Sequence, residues 1–163
     1  MLSSEKNLKW NVYAGWNKSK AVRDSCASGG IFYSLAKTVV THGGVAIGAA
    51  FCDEFQVRHV IVDDVDDLDA LKQSKYVLSN MGGLFPKIKE MAEKGQNILF
   101  SGTPCQVSAL KRYLGKEYEN VIYCSFFCYG APLPSVYNAY LNNLKKSMGS
   151  NIASINFKDK RYG

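Results

Sequence analysis

Two cysteines and a serine–glycine turn are the residues here whose types and positions suit chemistry. Cys105 ends the run Ile98-Leu-Phe-Ser-Gly-Thr-Pro-Cys. Ile98 to Phe100 is apolar and long enough for a buried strand, and Ser101 and Gly102 turn the chain. Thr103 is a good helix N-cap, and Pro104 sits where a first helical residue tolerates proline. Cys105 then falls in the first helical turn, where unpaired N–H groups and the helix dipole favour an anion such as a thiolate. That suits a metal ligand, a nucleophile or a redox group, and it equally suits a small buried residue under a tight turn. Cys128 follows the next apolar run, Val121 to Phe127, in a similar relation. Ser28-Gly29-Gly30 precedes a helical pattern. Small residues there let a phosphate approach backbone N–H groups, although a plain serine cap with packing glycines fits as well. Lys75, beside Tyr76, lies in the polar, glycine-bearing segment Gln73 to Gly83, where a lysine is ordinarily solvated.

Several chemistries are disfavoured by spacing. A zinc or iron–sulfur site usually needs four ligands. Cys124 lies four residues before Cys128, on the same strand face but about 13 Å away. Cys26 and Cys52 sit among neighbours suited to core or turn packing, and neither His42 nor His59 is near a cysteine in sequence. Arg112 stands one position too far from Cys105 for a thiol-phosphatase loop. Neither the dinucleotide fingerprint nor the P-loop occurs. The aspartates between Asp63 and Leu71 fit no calcium loop and read as the solvated cap of a short surface helix.

The elements that must position these groups follow from periodicity. Asn11 to Trp16 reads as a short strand with Trp10, Val12 and Ala14 on one face. Ile31, Leu35 and Val39, with Phe32 and Ala36 alongside, give a helix ending at Gly43-Gly44. Val45 to Phe51 is a buried strand, joined through Asp53-Glu54 to a second one at Gln56 to Val62. Leu84, Ile88 and Met91 mark a helix stopping at Gly95, with Pro86 in its first turn. Val107, Leu110 and Leu114 carry the Cys105 helix to Gly115. Val136, Tyr140 and Leu144 mark another helix, and Ile152 to Phe157 a last strand before Lys158 to Gly163. Strands alternating with helices at these lengths predict an α/β fold. Residues 1–163 form a single domain with a largely parallel or mixed sheet flanked by helices. Ligands bind such sheets beyond the carboxyl ends of strands. Cys105 and Cys128 lie at such ends on consecutive strands, about 4.8 Å apart if adjacent, so the two thiols could share one metal centre.

The net charge of +6 over 163 residues comes from scattered basic residues, which favours an anionic cofactor or acidic protein partner over nucleic acid. The N-terminus has no apolar signal region, and no apolar run nears the roughly 18 residues of a membrane span. Five widely spaced cysteines do not resemble a secreted disulfide framework, so the expected compartment is the cytoplasm.

Five motifs occur in a fixed order: Ser28-Gly-Gly-Ile-Phe after Arg23, Gly43-Gly44 leading to Gly48-Ala-Ala-Phe51, Ser74-Lys-Tyr76, Leu99-Phe-Ser-Gly-Thr-Pro-Cys-Gln106, and Cys128-x-Gly-x-Pro132. Together they closely resemble the coenzyme F-420 (deazaflavin) hydrogenase/dehydrogenase beta-subunit family. The bacterial branch associated with polysaccharide pyruvyl transferase is the most similar. The resemblance runs from about Tyr13 to Gly163. It implies a flavin-dependent oxidoreductase core that binds FAD and a [4Fe–4S] cluster and moves electrons between a ferredoxin-like partner and a small-molecule substrate or deazaflavin. It places Ser28, Gly29 and Gly30 at the flavin's phosphates, Lys75 and Tyr76 against the flavin as catalytic residues, and Thr103 and Pro104 at the turn beside it. It makes Cys105 and Cys128 cluster ligands. This chain departs from the family at Ser25-Cys-Ala-Ser28, where a serine run is common, and at Cys128-Tyr-Gly130, where Cys-His-Gly is common. Family members also continue to a further Cys-x-x-Cys region, so the expectation is a chain lacking the C-terminal part of the full protein. A truncated, non-catalytic module that docks a redox or polysaccharide-synthesis partner is the alternative.

Overall fold

The computed structural model describes residues 11–160. Trp10 and the end of the Lys158 to Gly163 segment lie outside the described residues. Four strands form one sheet: β1 (Val45–Phe51), β2 (Val57–Val62), β3 (Ile98–Gly102) and β4 (Val121–Ser125), in the order β2-β1-β3-β4. β1, β3 and β4 run parallel, and β2 returns antiparallel along β1. The helices are α1 (Lys20–Ser25), α2 (Ile31–Thr41), α3 (Leu84–Glu93), α4 (Pro104–Leu114) and α5 (Pro134–Met148). This is the α/β architecture that the alternating pattern predicts.

Side chains alternate across a strand, so each strand feeds two cores. Val45, Ile47, Ile98, Phe100 and Val121 face α3 and α4 and bury Leu84, Ile88, Leu110 and Leu114. Ala46, Ala50, Val62 and Leu99 point the other way, against Ala36 and Val40 of α2 and against Leu68 and Leu71. Those two leucines come from the 3-10 turn Asp66–Leu71 inside the acidic run, whose aspartates face outward.

Two expected strands are absent. Asn11 to Trp16 joins no ladder; instead the Asn17 N–H donates to the Gly29 carbonyl at 2.7 Å and ties the segment to the glycine turn. Ile152 to Phe157 is also irregular, and Ile152, Ile155 and Phe157 serve as apolar anchors on Val57, Val77, Tyr137 and Leu141. An alternating pattern predicts a half-buried strand only where a free edge can pair with it. The buried helix faces also differ from the periodic reading. α2 buries Ala36 and Val40 while Ile31 and Leu35 are exposed, and α5 buries Tyr137 and Leu141 while Val136 and Tyr140 are exposed.

Candidate functional site

β3 ends at Gly102, and α4 starts two residues later behind Thr103. Thr103 and Gln106 form a capping box: the Thr103 N–H donates to Gln106 Oε1 at 3.0 Å, and the threonine hydroxyl lies 3.1 Å from the same oxygen. Close approach holds this turn together. A Cβ on Gly102 would stand 3.0 Å from the Phe100 ring and 3.2 Å from Gln106 Oε1. On the next strand, β4 stops at Ser125, so Cys128 lies on the loop beyond it rather than at the end of the ladder.

A cleft of about 550 Å³ opens at these strand ends. Its floor is Gly48 and Ala49 of β1, whose small side chains leave room beside Phe32 of α2 and Leu71. One wall is the loop from Lys72 to Ser79, and another is Ser101 to Thr103 with Phe126 to Ala131. Among the described residues no Asp or Glu lines the cleft. Lys72 and Lys75 do, together with Phe32, Tyr33, Tyr76, Phe126, Phe127 and Tyr129.

Lys75 is half-buried rather than solvated, and its ammonium donates to the Ala70 carbonyl at 2.9 Å and to the Lys72 carbonyl. Burial lowers its pKa to about 8. Lys72 pairs with Asp69 at 2.7 Å and lies over the Tyr33 ring at 4.4 Å. His59 is buried on β2, where burial outweighs its bond to the Ser101 carbonyl and lowers its pKa. Burial pushes the Cys124 thiol up, the usual direction for a thiol set among apolar neighbours.

The expected site residues divide between the wall and its support. Ser28, Lys75, Tyr76, Thr103 and Cys128 line the cleft. Gly29 and Gly30 do not; a Cβ on Gly29 would meet the Gly15 carbonyl and Trp16 at 3.2 Å, and one on Gly30 would meet Val22 and Asn17. Gly30 also needs its left-handed φ of 77° to open α2. Packing and turn geometry thus call for glycine at both positions. Pro104 and Cys105 are exposed and do not line the cleft, and the Cys105 sulfur lies 3.1 Å from Thr103 Oγ1. Cys128 is exposed and accepts from the Gly130 N–H at 3.4 Å. Among the described residues no three His, Cys, Asp or Glu side chains come together as a metal site. The donor set in this chain alone therefore does not fit a four-ligand cluster.

Three wall residues, His59, Ser79 and Gln106, carried no local signal of function. The nearest hint was the Thr103-x-x-Gln106 spacing, a capping-box pattern, and the alternation of β2 that points His59 inward.

Residues 95–162 match the family model for the C terminus of the coenzyme F420 hydrogenase/dehydrogenase beta subunit. That stretch is similar to the C-terminal part of the coenzyme F-420 hydrogenase/dehydrogenase beta-subunit family. The matched residues carry β3, α4, β4, the Cys128 loop and α5, and so include Thr103, Pro104, Cys105 and Cys128. No curated protein matches the sequence. Among solved structures, this chain is similar to one from the F420-reducing [NiFe] hydrogenase complex of Methanosarcina barkeri, with a TM-score of 0.61 and 16% identity. That match covers 78% of this chain and 47% of the other, so the chain spans under half of its neighbour's length and shares its fold. Among the described residues no helix is long and apolar enough to cross a membrane.

Proposed function

We propose that this chain is the flavin-binding core of a redox module that exchanges electrons between a ferredoxin-like partner and a small-molecule substrate or deazaflavin. One observation carries the reading: a cleft at the carboxyl ends of β3 and β4 with two lysines, several aromatic rings and no carboxylate on its wall. Its volume of about 550 Å³ falls within the usual range for small-molecule sites. An aromatic, anionic ligand such as FAD fits that lining. The match of residues 95–162 to a hydrogenase/dehydrogenase beta-subunit family model supports redox chemistry, and the bacterial branch linked to polysaccharide pyruvyl transferase is the version of that reading we favour.

A bound flavin would supply hydride and single-electron exchange. The chain's own residues supply the surroundings. Lys75 lines the cleft and would supply positive charge to offset negative charge developing on a reduced ring. An anion beside it favours the ammonium, so binding raises its pKa from about 8. Tyr76 stands beside it on the same wall, edge-on to Phe157 at 5.7 Å. Ser28 would offer its hydroxyl, and Thr103 would shape the turn beside the flavin, its own hydroxyl donating to Gln106 Oε1. Cys105 and Cys128 would offer two thiolates, short of the four ligands that a [4Fe–4S] cluster takes.

FAD titration of the 163-residue chain under anaerobic conditions, followed by flavin fluorescence, tests the cleft. Micromolar binding that weakens about tenfold in Lys75→Met supports it, and no binding by the intact chain sinks it. The docking-module reading has one observation in its favour, the near-complete exposure of Phe127 and Tyr129 on the cleft rim.

A further inference from the structure

A run of hydrogen bonds crosses the cleft floor from one wall to the other, and its direction can be read atom by atom. The Ser101 carbonyl only accepts, so His59 Nε2, 2.9 Å away, carries the proton. His59 Nδ1 is then the acceptor and takes the Ser79 hydroxyl proton at 2.7 Å. The Ser79 oxygen accepts from Gln106 Nε2 at 2.9 Å. That fixes the amide, whose Oε1 accepts from the Thr103 N–H and from the Thr103 hydroxyl. The threonine oxygen is left facing the Cys105 sulfur at 3.1 Å. His59, Ser79 and Gln106 are all buried, and the His59 ring stacks on Phe100 with centroids 5.5 Å apart. Three separate pieces of chain meet here: β2, the Lys72 to Ser79 loop, and the start of α4. Each polar atom in the run has its partner inside the protein, so none of these side chains is free to serve a ligand directly.

We propose that His59, Ser79 and Gln106 are positioning residues that lock the Ser101 to Cys105 turn onto the Lys72 to Ser79 loop. They set the separation of the cleft's two walls and the orientation in which Cys105 is presented. The part of this that concerns a ligand rests on the cleft being the flavin site; the part that concerns Cys105 does not.

The test uses the 163-residue chain. Ser79→Ala removes the central hydroxyl and adds no bulk, Ser79→Thr restores it, and Gln106→Glu keeps the bonds to Thr103 while losing the donor to Ser79. Four quantities are read: FAD affinity, the visible absorbance of bound flavin, the alkylation rate of Cys105 relative to Cys128 by peptide mapping, and the ¹⁵N shifts of the His59 ring. Thermal unfolding is followed in parallel. We expect wild-type His59 as the Nε2–H tautomer. Ser79→Ala and Gln106→Glu should weaken FAD by ~tenfold, shift the flavin band, and change the relative Cys105 rate several-fold, with Ser79→Thr close to wild type. An Nδ1–H tautomer in the wild type overturns the proposal without any variant. So does a folded Ser79→Ala that melts earlier yet keeps wild-type affinity, spectrum and Cys105 rate, because that is a purely structural role. If the wild type binds no FAD, the flavin reading falls, while the tautomer and the Cys105 rate still decide the relay.

Discussion

The Lys75 ammonium rests on two backbone carbonyls, partly out of water, and its pKa of about 8 makes it a mixture of charged and neutral forms in the physiological range. The sign of the linkage follows. Between pH 8 and the ordinary lysine value of 10.5, the unfolded chain holds more protons than the folded one. Stability should therefore rise with pH across that interval, by about 2 to 3 kcal/mol from this group. Urea unfolding at pH 8 and pH 10 checks it, and Lys75→Met should remove that rise. Ligand binding runs the opposite way: affinity for an anion should fall as pH climbs through about 8, and should lose that dependence in the methionine variant. His59 gives a second, separate window. Its pKa lies below the ordinary 6.5, so as pH drops through that value the unfolded chain takes up a proton that the folded one refuses. Stability should decline there, and less steeply in His59→Asn. Asp24 and Glu90, paired with Lys20 and Lys94, titrate below their ordinary values of 3.8 and 4.5 and leave this window clear.

At the scale of elements, the β3–turn–α4 unit is the part whose local sequence agrees with its structure at every step. Thr103, Pro104 and Gln106 are the cap, the first helical residue and the capping-box partner, and each does locally what its residue type favours. Thr103→Ala should destabilise the chain by about 1 kcal/mol, read as a lower urea midpoint at unchanged slope. Gly102→Ala should cost about 1 to 3 kcal/mol, because its methyl presses on Phe100 and on the Gln106 amide. Strand and helix positions were legible wherever an apolar run was bounded by glycine, as at Gly43, Gly95 and Gly115. Alternation misled at Asn11 to Trp16 and at Ile152 to Phe157, since sequence pattern records which side chains seek burial and not whether an edge is free to pair. The rotated faces of α2 and α5 have the same origin: each helix turns to meet the neighbour it packs on, and that neighbour is distant in sequence.

Over the whole molecule, the cleft is a product of topology. Residues from near Cys26 to Ala131 reach it because three parallel strands deliver their carboxyl ends to one side. Lys75 and Thr103 were visible as isolated motifs; the bonds from Ser79 to His59 and from Gln106 to Ser79 span 20 and 27 residues of sequence and no local pattern announces them. Phe127 and Tyr129 on the rim are almost wholly exposed. Replacing both with serine should leave the unfolding midpoint within about 0.5 kcal/mol of wild type while weakening FAD binding or partner association, whichever the rim serves.

The two margins of the sheet are unlike. Along β2, the His59 N–H donates to the Asn80 carbonyl and the Asn80 N–H donates to the Val57 carbonyl, so that border is capped by the molecule's own backbone. Along β4, no further strand pairs among the described residues, and Ile122 is exposed. A body whose β4 border is open and whose β2 border is capped from Val57 to His59 would be monovalent in the polymer chemist's sense. If two copies meet through β4, each terminates the other. Concentrating the protein should then yield pairs in sedimentation and no fibres.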